Sequence, residues 1–464
     1  MFINIFSPLS KGIELMRKGN TELAIAYFNT LVEKNIKPAA AHFNLGRCYF
    51  KLANHQETKR HLYKALEYDY SDSLVKSIIE MTNWRMLSSH EYFNNWPAFS
   101  NDSTKIAYTS ARKCSNNDGK INSFDCTGLY VVDLRTGVET NLVTDGFYSL
   151  RPLFSPDDNY VVYLSIRTKF DKNLPIDNRA NPALYMMDLR TGEERLLLDE
   201  RYKVKPYWFY PDGKKLLFSG WVPGNRISGI YSLDIATKEL KTVVPGVHEN
   251  TFPSISRNGG FIVYSSWRRD TNGDGVIDIR DNTGIYIMNL STGNESLIAS
   301  DRFNNIFPSI SPDSKSIMYL SFRRDTNGDG HINQTDNPGV YVTDLSTGKT
   351  KTVINDSCFN KFPSFTPDSK NIVFLSSWRD ENRESSEREF FESKGIYVAD
   401  ISSGRIKNLV SDKYYGSYFP VVSPDGKKVV YISWRRDTNR GLYTAYLDRL
   451  PEKNELMEFI DKNI

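Results

Sequence analysis

Ser423-Pro424-Asp425-Gly426-Lys427-Lys428-Val429-Val430-Tyr431-Ile432-Ser433 reads as a tight turn feeding a short strand. Proline fixes φ, aspartate holds the backbone two residues on, and glycine supplies positive φ, so the chain reverses there. The β-branched and aromatic run behind it suits a pleated, buried surface. The turn recurs at Ser155-Pro156-Asp157 and Ser311-Pro312-Asp313, each four residues after a proline. Those leading prolines are Pro97, Pro152, Pro206, Pro253, Pro308, Pro363 and Pro420; only Pro206 breaks the interval, lying five residues before Pro211.

Each turn and strand is followed by a variable loop, a second strand such as Gly284-Ile285-Tyr286-Ile287-Met288-Asn289-Leu290, a Ser/Thr-x-Gly turn and a further short strand. Four strands per unit, in seven units, predict a seven-bladed β-propeller, because radial closure is how such short meanders hide their edges. Six blades plus an irregular unit is the alternative. The last unit stops after Gly441-Leu442-Tyr443-Thr444-Ala445-Tyr446-Leu447, one strand short. Trp84-Arg85-Met86-Leu87-Ser88 aligns with the fourth strands of other units and is expected to close the ring. The unit resembles the TolB-like propeller repeat, a relative of the WD repeat, through its Ser-Pro-Asp-Gly-Lys-Lys turn and Gly-Ile-Tyr strand. The resemblance covers residues 83–450 and implies envelope machinery, hence the periplasm.

A shorter period precedes it. Gly12 and Gly46 lie 34 residues apart in helical apolar patterns, with Ala24 and Phe28 after the first and Ala65 after the second. Small residues there let antiparallel helices approach closely. The period and the Leu45-Gly46-Arg47-Cys48-Tyr49 signature resemble the tetratricopeptide (TPR) repeat. Residues 5–82 are expected to hold two such repeats and a capping helix from Ser73 to Thr82. Thr58 stands where the repeat usually has alanine. Residues 451–464 read as a short helical tail.

The variable loops carry the strongest chemical signal. Asp270, Asn272, Asp274, Val276, Asp278 and Asp281 occupy positions 1, 3, 5, 7, 9 and 12 of a twelve-residue calcium loop, with Gly275 at the turn. Asp325, Asn327, Asp329, His331, Asn333 and Asp336 repeat it in the next unit, where Val276 and His331 would ligate through backbone carbonyls. The closing aspartate and flanking strands make the loops resemble those of dockerin modules more than EF-hands. Crowded carboxylates repel unless a cation joins them, so two Ca2+ sites are predicted. A weaker third loop keeps Asn116, Asp118, Asn122 and Asp125 but begins with Cys114. The plain alternative is a set of Asx-turns with Arg268 and Arg269 as counterions.

Beside these loops recur Trp267-Arg268-Arg269, Phe322-Arg323-Arg324, Trp378-Arg379 and Trp434-Arg435-Arg436. They are candidates for a ligand face, since Trp and Arg dominate binding hot spots. The bland account packs the aromatics between blades and pairs the arginines with loop aspartates.

The net charge of +3 lies in residues 1–82, while residues 83–464 balance, so no nucleic-acid partner is indicated. No apolar run is long enough to span a bilayer. The first ten residues lack a signal-like pattern, which favours the cytoplasm and opposes the envelope expectation. Cys48 and Cys358 read as buried thiols, and Cys114 and Cys126 as a pair able to bridge under oxidising conditions. With no Gly-x-Ser-x-Gly elbow and no His-Glu-x-x-His helix, the chain reads as a non-enzymatic scaffold. Its face and helical repeats would bind protein or peptide partners, or a polysaccharide. A propeller lyase or hydrolase is the alternative.

Overall fold

The recurrent turn folds as its residues dictate. Asp102, Asp157, Asp313 and Asp425 each accept a hydrogen bond from the serine hydroxyl two residues earlier. The fourth turn residue takes positive φ in all seven repeats: Ser103, Asp158, Gly213, Gly259, Ser314, Ser369 and Gly426. A computed structural model describes residues 8–71, 74–75, 77–78, 86–88, 91–115, 118–144, 146–167, 180–225, 227–377, 395–410, 417–433, 440–447 and 452–463. The chain forms two compact units, Leu87–Leu447 and Met1–Met86 with Asp448–Ile464.

The first unit is a seven-bladed propeller of four-stranded antiparallel sheets. In six blades the strands follow chain order, as in blade four: Asn250–Ile255, Phe261–Ser266, Gly284–Asn289 and Glu295–Ala299. Blade seven takes its fourth strand, Met86–Ser88, from upstream of blade one, pairing it with Gly441–Tyr446. The expected closure is present; Trp84 and Arg85 lie outside the described residues. First strands meet the first strands of neighbouring blades, so they surround the axis. The second strand of each blade buries an aromatic at its middle: Tyr108, Tyr163, Phe218, Tyr264, Tyr319, Phe374 and Tyr431 are all closed to solvent. Each faces a strand-three tyrosine, as Tyr264 faces Tyr286. Full burial of such a ring is worth about 1.5–3 kcal/mol, and the repeat supplies it seven times.

The second unit is helical. α1 (Ser10–Arg17), α2 (Thr21–Glu33), α3 (Pro38–Lys51) and α4 (His55–Tyr68) follow one another through short turns. A Cβ on Gly12 would stand 2.5 Å from the Phe28 ring and one on Gly46 2.9 Å from Leu62, so both glycines mark the close approaches read from the sequence. Of the expected capping helix, residues 74–75 and 77–78 are helical, and the rest lies outside the described residues. The expected tail forms α5 (Lys453–Asn463) and is grouped with these helices. Its Leu456 and Ile460 pack with Leu62, Leu66, Val75 and Ile78, and Tyr63 and Lys59 of α4 bond to Asp461. Two helix pairs bury little surface alone; α5 supplies a third layer from the far end of the chain.

Candidate functional site

A four-stranded meander puts its second-to-third loop and its connection to the next blade on one face. The aspartate-rich loops therefore share a face in blades one, four and five. In blade four, the Asp270 carboxylate accepts the N–H of Gly273 (2.6 Å) and of Gly275 (2.8 Å). Asn272 Oδ1 accepts from Asp274, and Asp274 from Val276, so successive Asx-turns wind the chain about its first residue. Gly273 and Gly275 take φ of 79° and 84°, which side chains resist. Asp281 is closed to solvent, though only thinly covered, and accepts the N–H groups of Thr271, Asn272 and Asp278. Burial raises its pKa, but these backbone bonds outweigh that and hold it below the ordinary range.

Blade five reproduces the arrangement, with Asp325 on Gly328 and Gly330, and Asp336 on Thr326, Asn327 and Asn333. His331 donates its backbone N–H to Asp329. In blade one, Cys114 Sγ takes the place of the first carboxylate and accepts the N–H of Gly119 at 3.3 Å. Asp118 and Asn122 bond each other, Asp125 is closed to solvent, and Asn116 lies outside the described residues. No disulfide joins Cys114 to Cys126, and Cys358, expected to be buried, is partly exposed. Among the described residues no three His, Cys, Asp or Glu side chains converge on a common metal position. The loop counterion is Arg280, which reaches Asp274 (3.1 Å) and Asp278 (2.7 Å), not Arg268 or Arg269. Blade five has Thr335 at that place and so lacks this counterion.

The rim residues have other partners. Trp267 is buried and its Nε1 donates to the carbonyl of Asp281; Phe322 is buried in the core of blades five and six. Arg268 lies 3.6 Å over the Tyr286 ring and pairs with Glu295 at 2.5 Å, while Glu295 also accepts from Tyr264. Burial and the Glu295 bond push the Tyr264 hydroxyl well up. The same Tyr-Arg-Glu triad joins Tyr108, Arg112 and Glu139 in blade one, and Tyr163, Arg167 and Glu194 in blade two. Arg269 pairs with Asp301 and Arg324 with Asp356, both aspartates on the connection to the next blade. Arg323 stacks on Tyr341, but Thr350 stands where the triad has glutamate. Trp378, Arg379, Trp434, Arg435 and Arg436 lie outside the described residues. Among the described residues, the exposed apolar groups on this face include Phe124, Ile227, Val247, Val276, Ile277, Ile279 and Ile332, most of them on the aspartate-rich loops.

A second constellation escaped the sequence reading. Trp96, Arg151, Phe252, Phe307, Phe362 and Phe419 all take φ near +50° inside a bulge of the first strand, each just before its leading proline. Bulky residues avoid that region at a cost of about 1–3 kcal/mol each. The signal was available: the seven prolines are preceded by Trp96, Arg151, Lys205, Phe252, Phe307, Phe362 and Phe419.

No family model matches the chain. Its curated relatives include the Tol-Pal system protein TolB of Francisella tularensis, 29% identical over 226 residues that cover 48% of this chain and 43% of the relative. Dipeptidyl-peptidase 5 of Porphyromonas gingivalis is 28% identical over 235 residues, 48% of this chain and 30% of the relative. The chain spans less than half the length of either. Among solved structures, an oligogalacturonate lyase in complex with manganese superposes with a TM-score of 0.53 at 16% identity, covering 79% of this chain and 93% of that one. That likeness is one of fold. The propeller is TolB-like in sequence, and proteins of similar fold include enzymes. No helix among the described residues is long and apolar enough to cross a membrane.

Proposed function

We propose that this protein is a non-enzymatic binding protein of the cell envelope. Its propeller face engages a protein or peptide, its TPR-type helices a second partner, and calcium stiffens the loops of blades four and five. One observation carries the reading. Loops from three blades present Phe124, Ile277, Ile279 and Ile332 to solvent on one face, beside acidic groups, as a docking surface does. The rim of Trp267 and Phe322, being buried, contributes support and not contact area. The TolB relative is named for a Tol-Pal protein system, which favours a protein partner over a polysaccharide.

Loop conformation supports the metal. The first-position carboxylates Asp270 and Asp325 bind the same two backbone N–H groups in both loops and keep lone pairs to spare. The residues that would hold the ion are those of positions 1, 3, 5, 7, 9 and 12. A bound calcium would neutralise the crowded aspartates and fix the loop tips; blade five, without an arginine counterion, gains most.

Thermal unfolding of the chelator-treated chain with and without millimolar calcium tests the metal. A ligand at a hundred times its dissociation constant stabilises by about 2.7 kcal/mol, so the melting temperature rises by several degrees. Asp325→Ala combined with Asp270→Ala abolishes the rise. An unchanged melting temperature in the parent chain removes calcium from the proposal. Capture experiments with Ile277→Ser and Ile332→Ser then test the face: partners retained by both would overturn it.

A further inference from the structure

In blades one, two and four the strand-two tyrosine, the arginine four residues on and the glutamate that opens strand four form a set. Arginine and glutamate pair at 2.7, 2.6 and 2.5 Å, and arginine Nη2 donates to the tyrosine hydroxyl at 3.1, 3.1 and 3.2 Å. Blades three and six lack all three residues: the sequence has Phe218, Val222 and Leu240 in one, and Phe374, Trp378 and Ile406 in the other. From blade one to blade six the set is thus kept or dropped whole, except in blade five. There Tyr319 and Arg323 remain, while Thr350 stands opposite Thr343 where Glu295 stands opposite Met288.

The rest of the arrangement is kept. Arg323 lies 3.6 Å over Tyr341 as Arg268 does over Tyr286, and the Nε of each donates at 3.1 Å to the serine two residues earlier. Tyr319 and Tyr341 stack with centroids 6.0 Å apart, against 6.1 Å for Tyr264 and Tyr286. Phe303, on the connection from blade four, stands 5.3 Å from the guanidinium. Blade five therefore holds a guanidinium and a phenol in the geometry that elsewhere closes on a carboxylate. Among the described residues neither group has an acidic partner, and the neighbouring Asp356 is taken by Arg324. Tyr319 is only 1% exposed, and among those residues its hydroxyl has no hydrogen-bond partner. A half-buried guanidinium and a buried phenol without an acceptor are destabilising, so an acceptor arriving from outside is held. The way in is open: Thr350 is exposed and shorter than glutamate, and in blade four both members of the ion pair are 24% exposed.

We propose that the Tyr319–Arg323 pair binds a carboxylate carried on a short methylene chain, in the place that Glu295 holds in blade four. The planar guanidinium takes the carboxylate oxygens, the phenol donates to one of them, and the chain runs out past Thr350 to solvent. A free short-chain acid and an acidic side chain of a bound protein share this chemistry. The site stands apart from the calcium loops and their apolar tips, and it needs neither.

The test is thermal unfolding of the full chain at fixed ionic strength. Sodium propionate is compared with sodium chloride and with propionamide, and a capped Ala-Glu-Ala peptide with its Ala-Gln-Ala counterpart. The acids raise the melting temperature beyond chloride and the neutral amides do not, because the charge-assisted bond goes with the charge. Thr350→Glu supplies a tethered carboxylate at an effective concentration that outcompetes the free one, so this variant no longer responds. Arg323→Gln, shown by circular dichroism to keep the propeller, does not respond either. Saturation by the peptide at lower concentration than propionate identifies an acidic side chain as the source; the reverse identifies a free acid. No rise with either acid, an equal rise with acid and amide, a larger rise with inorganic phosphate, or a rise undiminished in either variant overturns the proposal. The proposed function is judged separately, by calcium and by the loop variants.

Discussion

Arg268 and Arg323 occupy equivalent places in consecutive blades, stacked at the same 3.6 Å on Tyr286 and Tyr341, yet among the described residues only Arg268 has a carboxylate partner. Glu295 completes the triad of blade four, whereas Thr350 bonds Thr343 in blade five. Removing one partner from a half-buried pair leaves the other desolvated without compensation. Glu295→Ala should therefore cost about 1–3 kcal/mol in urea unfolding, because Arg268 and Tyr264 both lose their acceptor. The converse is sharper. Thr350→Glu restores the missing acid and should leave stability unchanged or raise it by up to about 1 kcal/mol, since the pair stays partly solvated. A clear loss in that variant would show that Arg323 is not poised as its counterparts are. Each blade that has the glutamate has the tyrosine, and the two phenylalanines fall where the glutamate is missing. Phe218 and Phe374 stand in blades three and six, which have Leu240 and Ile406 at the start of the fourth strand in place of the glutamate.

At the scale of elements, α3 and α4 meet through two imidazoles, His42 Nδ1 to His61 Nδ1 at 2.8 Å, with Tyr49 stacked on His61 and Tyr68 on His42. Burial first, then His42, pushes His61 down to about 4, against a smaller opposing pull from Glu57; Arg60 also lowers it. His42 is lowered as well, by burial and then by Lys64 and Arg60, with Glu67 opposing. A folded value below the ordinary 6.5 means the unfolded chain takes up the proton first. The contribution is complete above about pH 6.5 and drains away as pH falls toward 4, by about 3 kcal/mol at 1.36 kcal/mol per unit. Helical circular dichroism on full-length protein should melt lower at about pH 4.5 than at pH 7. His61→Phe should flatten that difference, and an unaltered pH profile would count against the pair as its source. Neither histidine was legible as a partner in the sequence, since nineteen residues separate them in two different helices. Repeating features were legible: the turns, the strands and Gly12 against Phe28 each obey a local rule. The counterion role of Arg280 was not, because choosing among Arg268, Arg269 and Arg280 needs the path of the loop. The six strained pre-proline residues lay between, visible as residues before prolines but recognisable as one set only once the bulge and positive φ are known.

For the whole molecule, the decisive contact is the three-residue strand Met86–Ser88 against Gly441–Tyr446. A ring of seven sheets has no free end only while that pairing holds; without it, blade seven exposes an edge and blade one loses a neighbour. The first strand of blade one binds the same seam, since Asn94 donates both its backbone N–H (3.3 Å) and its Nδ2 (2.6 Å) to the carbonyl oxygen of Arg440 in the last blade. Ser88 adds a bond to Asn94, so the closing strand and the first blade are fastened at one point. A propeller cut at this seam keeps every local turn and every blade core, and should still form strands. What it loses is cooperativity between blade seven and blade one. The comparison that isolates the effect is residues 83–447 against residues 89–447, both freed of the helical unit. Retaining α5 would leave Leu456 and Ile460 without their helical partners and confuse the result. The longer chain should unfold in one transition, and the shorter at lower denaturant with a broadened or divided transition and a tendency to associate through the bared edge. Identical midpoints for the two would mean that the inner strands around the axis, not the borrowed outer one, hold the ring shut.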